Sequence, residues 1–201
     1  MTEFSWDPYT PEFYALQTTG REAFEIQMLA HALWDVLKPA SVFDVGCGRG
    51  LFLKTFLDLG VPRIFGIDAK PALDAGLVIP RECFDIQDFR STVVLPRDED
   101  LMICLEVVEH LPPADADRLV ELICAARPKR IAFSGAHLNQ GGTGHINERD
   151  PEYWTQWFRV NGYRMAFAEG MRVSRRWVEL CGSIRVCSWY WQNLRIMERF
   201  A

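Results

Sequence analysis

Positive charge is not in surplus in this chain: 22 Lys and Arg stand against 27 Asp and Glu, giving a net charge of −5 at pH 7. Phosphate-rich polymers are bound through clustered cations that release counterions, so a nucleic-acid partner is not expected. The one dense basic group, Arg172, Arg175 and Arg176, reads as a solvated helix face. No apolar run approaches the roughly 18 residues that cross a bilayer. Met1-Thr2-Glu3-Phe4 has neither the basic start nor the apolar core of an export signal. These absences predict a soluble cytoplasmic protein without a membrane partner. The six cysteines (Cys47, Cys83, Cys104, Cys124, Cys181, Cys187) form no Cys-x-x-Cys pair, and several lie in apolar runs. They are expected to be reduced, packed thiols. Repeats, low-complexity tracts and Pro/Gly linkers are also missing, which predicts one domain over residues 1–201.

What the chain does have is apolar content, 49% of its residues, enough for a single core. Phe24, Met28, Leu29, Leu33, Val36 and Leu37 recur near helical spacing between Arg21 and Leu37, and Pro39 stops the run. Ser41–Val45 is a short β-rich run ending in glycines, and Leu51–Leu59 returns to helical period before Gly60. Further β-rich runs follow at Arg63–Asp68, Arg81–Asp85, Leu101–Leu105 and Arg130–Ser134. Continuous apolar strands joined by helical connections predict a doubly wound, mostly parallel α/β sheet of Rossmann-like type. In the tail, Tyr153–Val160 and Val173–Leu180 read as helices, and Gly162–Ala168 and Asn193–Phe200 as strands of a terminal antiparallel hairpin.

The first strand runs into Asp44-Val45-Gly46-Cys47-Gly48-Arg49-Gly50. Glycines there let the backbone turn sharply and approach a ligand, and the following helix N-terminus favours an anion. A dinucleotide fold wants G-x-G-x-x-G, whereas this loop is G-x-G-x-G behind an acid, so the spacing disfavours a pyrophosphate and a nicotinamide enzyme. The loop resembles motif I of the class I S-adenosylmethionine-dependent methyltransferases. That resemblance implies Gly46, Cys47, Gly48 and Gly50 around the methionine end of S-adenosyl-L-methionine. It implies Asp68, with Ala69 beside it, at the end of the second strand holding the ribose hydroxyls. Asp85-Ile86 would meet the adenine, with Gln87 and Asp88 just beyond. Leu105-Glu106, opening Cys104-Leu105-Glu106-Val107-Val108-Glu109-His110-Leu111-Pro112, would flank the sulfonium and adenine. The likeness spans Ser41 to about Tyr163. It divides the chain into an N-terminal lid and helix (1–38), a cofactor-binding half (41–135) and an acceptor-side half (136–201).

Methyl transfer is in-line displacement at carbon from a good leaving group, so the protein aligns the reactants, excludes water and supplies a base only where the acceptor must lose a proton. Histidine suits that role near neutral pH, and only four occur. His31 sits in the first helix and reads as surface or packing. His110, His137 and His145 fall where ligands should bind and are the catalytic candidates. The glycine-rich loop from Ser134 to Asn147 reads as an acceptor loop or lid. His145-Ile146-Asn147-Glu148, followed by Pro151-Glu152-Tyr153-Trp154, resembles a segment of methyltransferases encoded beside glycan and natural-product pathways. His137 and His145 lack an evident third ligand and metal-site spacing, so no metal is expected. Trp6, Tyr9, Phe13 and Tyr14 either fold over the cofactor or staple the first helix to the core. Trp154, Trp157 and Phe158 read as core, and Trp189, Tyr190 and Trp191 as packing. The Asn/Asp-Pro-Pro-Tyr tetrad of amino methyltransferases is absent after the fourth strand, which disfavours nucleic-acid and protein acceptors. The expected function is methylation of an oxygen or nitrogen on a small-molecule acceptor. The rival is a non-catalytic cofactor-binding partner of the same fold.

Overall fold

A computed structural model describes residues 10–16, 18–182 and 189–200. The helices are α1 (Pro11–Leu16), α2 (Gly20–Leu37), α3 (Leu51–Asp58), α4 (Lys70–Asp74), α5 (Pro113–Ala125), α6 (Pro151–Val160), α7 (Phe167–Cys181) and α8 (Trp189–Asn193). The strands are β1 (Ser41–Val45), β2 (Arg63–Asp68), β3 (Phe84–Ile86), β4 (Leu101–Leu105), β5 (Arg130–Ser134), β6 (Tyr163–Met165) and β7 (Arg195–Arg199). They form one seven-stranded sheet in the order β3-β2-β1-β4-β5-β7-β6. The pairs β1–β2, β1–β4, β2–β3 and β4–β5 are parallel, and β7 is antiparallel to both β5 and β6. The expected α/β architecture with a C-terminal antiparallel strand is therefore present.

Both faces of the sheet are covered, because alternate strand residues enter two separate cores. Leu101, Ile103 and Leu105 of β4 pack with Leu29, Leu33, Phe56 and Trp177 from α2, α3 and α7. Met102 and Cys104 pack on the other side with Leu119, Val120, Trp154 and Phe158 from α5 and α6. Trp154 and Phe158 are core, as expected. Arg175 and Arg176 pair with Glu179 and Asp35 on the outer side of α7, so that basic group is a solvated helix face. Among the described cysteines all are free thiols; Cys187 lies outside the described residues. No described helix is long and apolar enough to cross a membrane.

Five local expectations are corrected. Arg81–Cys83 is a 3-10 turn closed by the Cys83 N–H on the Pro80 carbonyl at 2.9 Å, and only Phe84–Ile86 extends. No helix joins β3 to β4. The strand expected over Gly162–Ala168 stops at Met165, and α7 begins at Phe167, ahead of the predicted start at Val173. Phe167 and Met171 are 68% and 74% exposed, so the apolar stripe of Val173, Trp177 and Cys181 does not extend into the first turns and understates the helix. Strands β6 and β7 pair antiparallel, but with α7 between them and β7 inserted beside β5, they are not a terminal hairpin.

Candidate active site

The order reverses between β1 and β4, which leaves a crevice at the carboxyl ends of these strands, where ligands bind in open α/β sheets. A cavity of about 980 Å³ opens there. One wall is the glycine loop. Gly46, Gly48 and Gly50 take φ of 82°, 54° and 90°, left-handed values that side chains resist. The Gly46 and Cys47 N–H groups donate to the Ile67 carbonyl at 2.9 and 3.1 Å, which locks the loop onto β2.

Two buried carboxylates face each other behind this loop. Asp68 is 6% exposed and accepts three hydrogen bonds: from the Gly48 N–H at 2.7 Å, the Ala69 N–H at 2.7 Å and the Tyr14 hydroxyl at 2.9 Å. Burial raises its pKa and those three bonds oppose the rise. Asp44 Oδ2 is buried with no hydrogen-bond partner among the described residues. Burial, then the charge of Asp68, holds the Asp44 carboxyl well above the usual range. Phe13 and Tyr14 of α1 close this end, and Tyr190 of α8, edge-on to Phe52, lines it from the other side.

The opposite wall is built from the end of β4 and the loop after β5. Glu106 stands at φ 54°, an uncommon left-handed conformation for a side-chain-bearing residue, held by its N–H on Ser134 Oγ at 3.0 Å. Its carboxylate accepts from Asn193 Nδ2 at 3.2 Å. Glu109 is 1% exposed. Its Oε1 accepts the Ala136 N–H at 3.2 Å, whereas Oε2 has no partner among the described residues. Burial and then the Glu106 charge push its carboxyl well up. The His110 and His145 rings meet edge to face, with centroids 4.9 Å apart. Burial takes His110 down to about 4, so its imidazole is neutral at pH 7. His145 Nδ1 lies 3.0 Å from Glu148 Oε1.

A family model described as "Methyltransferase domain" matches residues 22–172, which include both walls. The chain belongs to the S-adenosylmethionine-dependent methyltransferases. It is 31% identical over 141 residues to the ribosomal protein L11 methyltransferase of Stenotrophomonas maltophilia (strain K279a), covering 65% of this chain and 45% of that protein. It is 30% identical over 117 residues to the ubiquinone biosynthesis O-methyltransferase of Idiomarina loihiensis, covering 52% of this chain and 46% of the relative. The chain thus spans about half the length of the curated relatives it matches. The structure of a mitomycin 7-O-methyltransferase superposes with a TM-score of 0.62 at 17% identity, over 96% of this chain and 58% of the other. The shared fold is that of a class I methyltransferase.

Within this methyltransferase, Asp44, Gly46, Cys47, Gly48, Asp68, Ala69, Ile86, Leu105, Glu106, His110 and His145 all line the cavity. Gly50 caps α3 just behind the wall. Asp85 does not line it: the side chain is exposed and accepts from Gln87 Nε2 at 3.3 Å. His137 also stays outside the lining, although its Nε2 is buried without a partner among the described residues; its pKa is lowered by burial and by Arg195. Its N–H donates to the Gln140 side-chain carbonyl at 3.2 Å, and Gln140 lines the cavity instead. Phe13 and Tyr14 do face the cavity, whereas Trp6 and Tyr9 lie outside the described residues. Sequence reasoning missed Tyr190, Asn193 and the inward turn of Glu109. The first two lie on α8, directly before β7, and reach the site only because β7 is inserted beside β5. Glu109 sits in the quoted post-strand segment, but no periodicity shows which carboxylate turns inward.

Proposed function

We propose that the chain moves the methyl group of S-adenosyl-L-methionine to an oxygen or nitrogen of a small-molecule acceptor, of natural-product or sugar type. The observation that carries this reading is one cavity with two chemically distinct walls, acidic glycine loop on one side and histidines on the other. Its volume lies in the range of small-molecule pockets. The residues fit the donor: the unpartnered Asp44 Oδ2 suits an ammonium group, and Asp68 suits ribose hydroxyls in charge-assisted bonds. Ile86 and Leu105 offer apolar surface for the base.

When bound, the donor supplies an electrophilic methyl on a cationic sulfonium. This chain's own residues hold that cation among Asp44, Asp68 and Glu106, shield it from water with Phe13, Tyr14 and Tyr190, and present an acceptor beside His110 and His145. In this reading residues 41–135 bind the donor, residues 136–201 the acceptor, and residues 10–16 with α2 cover the site.

Calorimetric titration with S-adenosylhomocysteine tests the reading. Micromolar binding by wild type, weakened about tenfold or about 1.4 kcal/mol by Asp68→Ala, is the expected outcome. Absence of binding to the wild-type chain overturns it, and binding without turnover on any hydroxyl or amine acceptor leaves a cofactor-binding partner instead.

A further inference from the structure

We propose that Glu109, His110 and His145 bind one divalent first-row transition cation, of the Mn²⁺, Fe²⁺ or Zn²⁺ class, whose open coordination positions hold the acceptor's oxygen. The ion's role rests on the methyltransferase reading above; its binding does not.

The three side chains each bring a ligand-type atom within 4.8 Å of the others. A cation with bonds of about 2.1 Å separates neighbouring ligands by about 3.0 Å and opposite ligands by about 4.2 Å. Only one pair among three ligands can be opposite, so the side chains draw together from separations of up to 4.8 Å to about 3–4 Å when the ion binds. Two imidazoles and a carboxylate are the donor set that borderline first-row cations take with positions left open.

Independent of that distance, Glu109 Oε2 is a buried acceptor with no donor among the described residues, on a side chain 1% exposed. Glu106 lies within side-chain hydrogen-bonding reach of it, so the two carboxyls need a shared proton or a cation between them. A buried oxygen in that setting costs free energy unless a cation or a proton meets it.

The surroundings orient the ligands in the manner of metal sites. With Glu148 beside Nδ1 at 3.0 Å, Nε2 is the ring nitrogen of His145 left for a cation, a carboxylate–histidine arrangement that supports metal ligation. Gly142 leaves room for this ring, since a Cβ there would stand 2.4 Å from His145 Nε2. The loop is fastened to the same turn: the Ile146 and Asn147 N–H groups donate to the Glu109 carbonyl at 2.9 and 3.0 Å, and Asn147 Nδ2 to the Val108 carbonyl at 3.1 Å. His110 and His145 also line the cavity, so an ion between them is open to the acceptor. A hydroxyl bound to it is acidified and releases its proton to solvent nearer neutral pH.

Chelator-treated full-length chain is titrated with Mn²⁺ and bound metal is counted by electron paramagnetic resonance, with S-adenosylhomocysteine binding measured in parallel. One Mn²⁺ per chain is expected, displaced by Zn²⁺, with affinity down at least about tenfold in His145→Ala and in Glu148→Gln. The second variant leaves the buried Glu109 untouched, and retained S-adenosylhomocysteine binding shows each variant is folded. No Mn²⁺ binding beside intact S-adenosylhomocysteine binding overturns the cation site alone. Mn²⁺ bound equally by wild type and both variants overturns it too, by placing the ion elsewhere. Loss of S-adenosylhomocysteine binding in the wild-type chain overturns the methyltransferase reading, whatever the Mn²⁺ result.

Discussion

The Asp68 carboxylate at the end of β2 is already largely occupied within the chain. A carboxylate has about four lone-pair positions, and three of those on Asp68 are taken by the Gly48 N–H, the Ala69 N–H and the Tyr14 hydroxyl. In the proposed function two ribose hydroxyls would compete on this acid with Tyr14, the only side-chain donor of the three. Removing that hydroxyl without altering the ring is expected to favour the nucleoside. Tyr14→Phe should tighten S-adenosylhomocysteine binding by about tenfold, the scale of one hydrogen bond to a charged group. Unchanged affinity in the same calorimetric titration would mean that Tyr14 and the ribose share Asp68. The acid was legible from its position one strand after the glycine loop. Its partnership with Tyr14 was not, because 54 residues separate them.

At the scale of elements, the unit β1–loop–α3 works because β2 lies close beneath it. Gly66 of β2 is where the approach is tightest: a Cβ there would sit 2.6 Å from Cys47 Sγ and 2.7 Å from Leu53 Cδ1. Both neighbours are buried, so neither can swing into solvent. Gly66→Ala is expected to destabilise the fold by about 1–3 kcal/mol, the cost of overpacking a filled core. A thermal melt should show a midpoint lowered by about 2–4 °C per kcal/mol. An unchanged midpoint would show that the loop gives way at no cost, contrary to its hydrogen bonds on Ile67. Strands β1, β2, β4 and β5 were readable to the residue because they are short, β-rich, mostly apolar runs separated by turn and helix signals. Strand β3 is three residues long and α7 buries only a narrow stripe, and neither signal survives at that length or width.

For the molecule as a whole, the antiparallel edge is secured by charge. Arg130 of β5 reaches Glu169 of α7 with its Nη2 at 2.9 Å and Glu198 of β7 at 3.5 Å, and Arg164 of β6 meets Glu198 at 2.8 Å. The hydrogen bond to Arg130 is the main cause that lowers the Glu169 pKa from its ordinary 4.5. A carboxyl lowered on folding adds stability above its unfolded value, and that stability is lost as pH falls through the folded value. Glu169→Gln is therefore expected to cost up to about 1 kcal/mol at pH 7, since the pair is partly exposed. The difference from wild type should shrink as pH falls below about 4.5 and vanish once it has passed the lower folded value, where Glu169 is neutral in both states. A difference that persists in acid would assign the effect to packing rather than charge.

The architecture and the glycine-loop wall of the cavity were already legible in the amino-acid order. Alternating apolar runs specify a covered parallel sheet, and a glycine loop followed one strand later by an acid encodes its geometry locally, within about 25 residues. The histidine wall emerged only on folding. His110 and His145 meet because the loop after β5 is tied back to the Glu109 turn, His137 of the same loop stays outside the cavity lining, and Tyr190 and Asn193 arrive through the insertion of β7 beside β5. Those contacts join residues tens of positions apart, and hydrophobic periodicity carries no information about where a polar side chain on a loop will point.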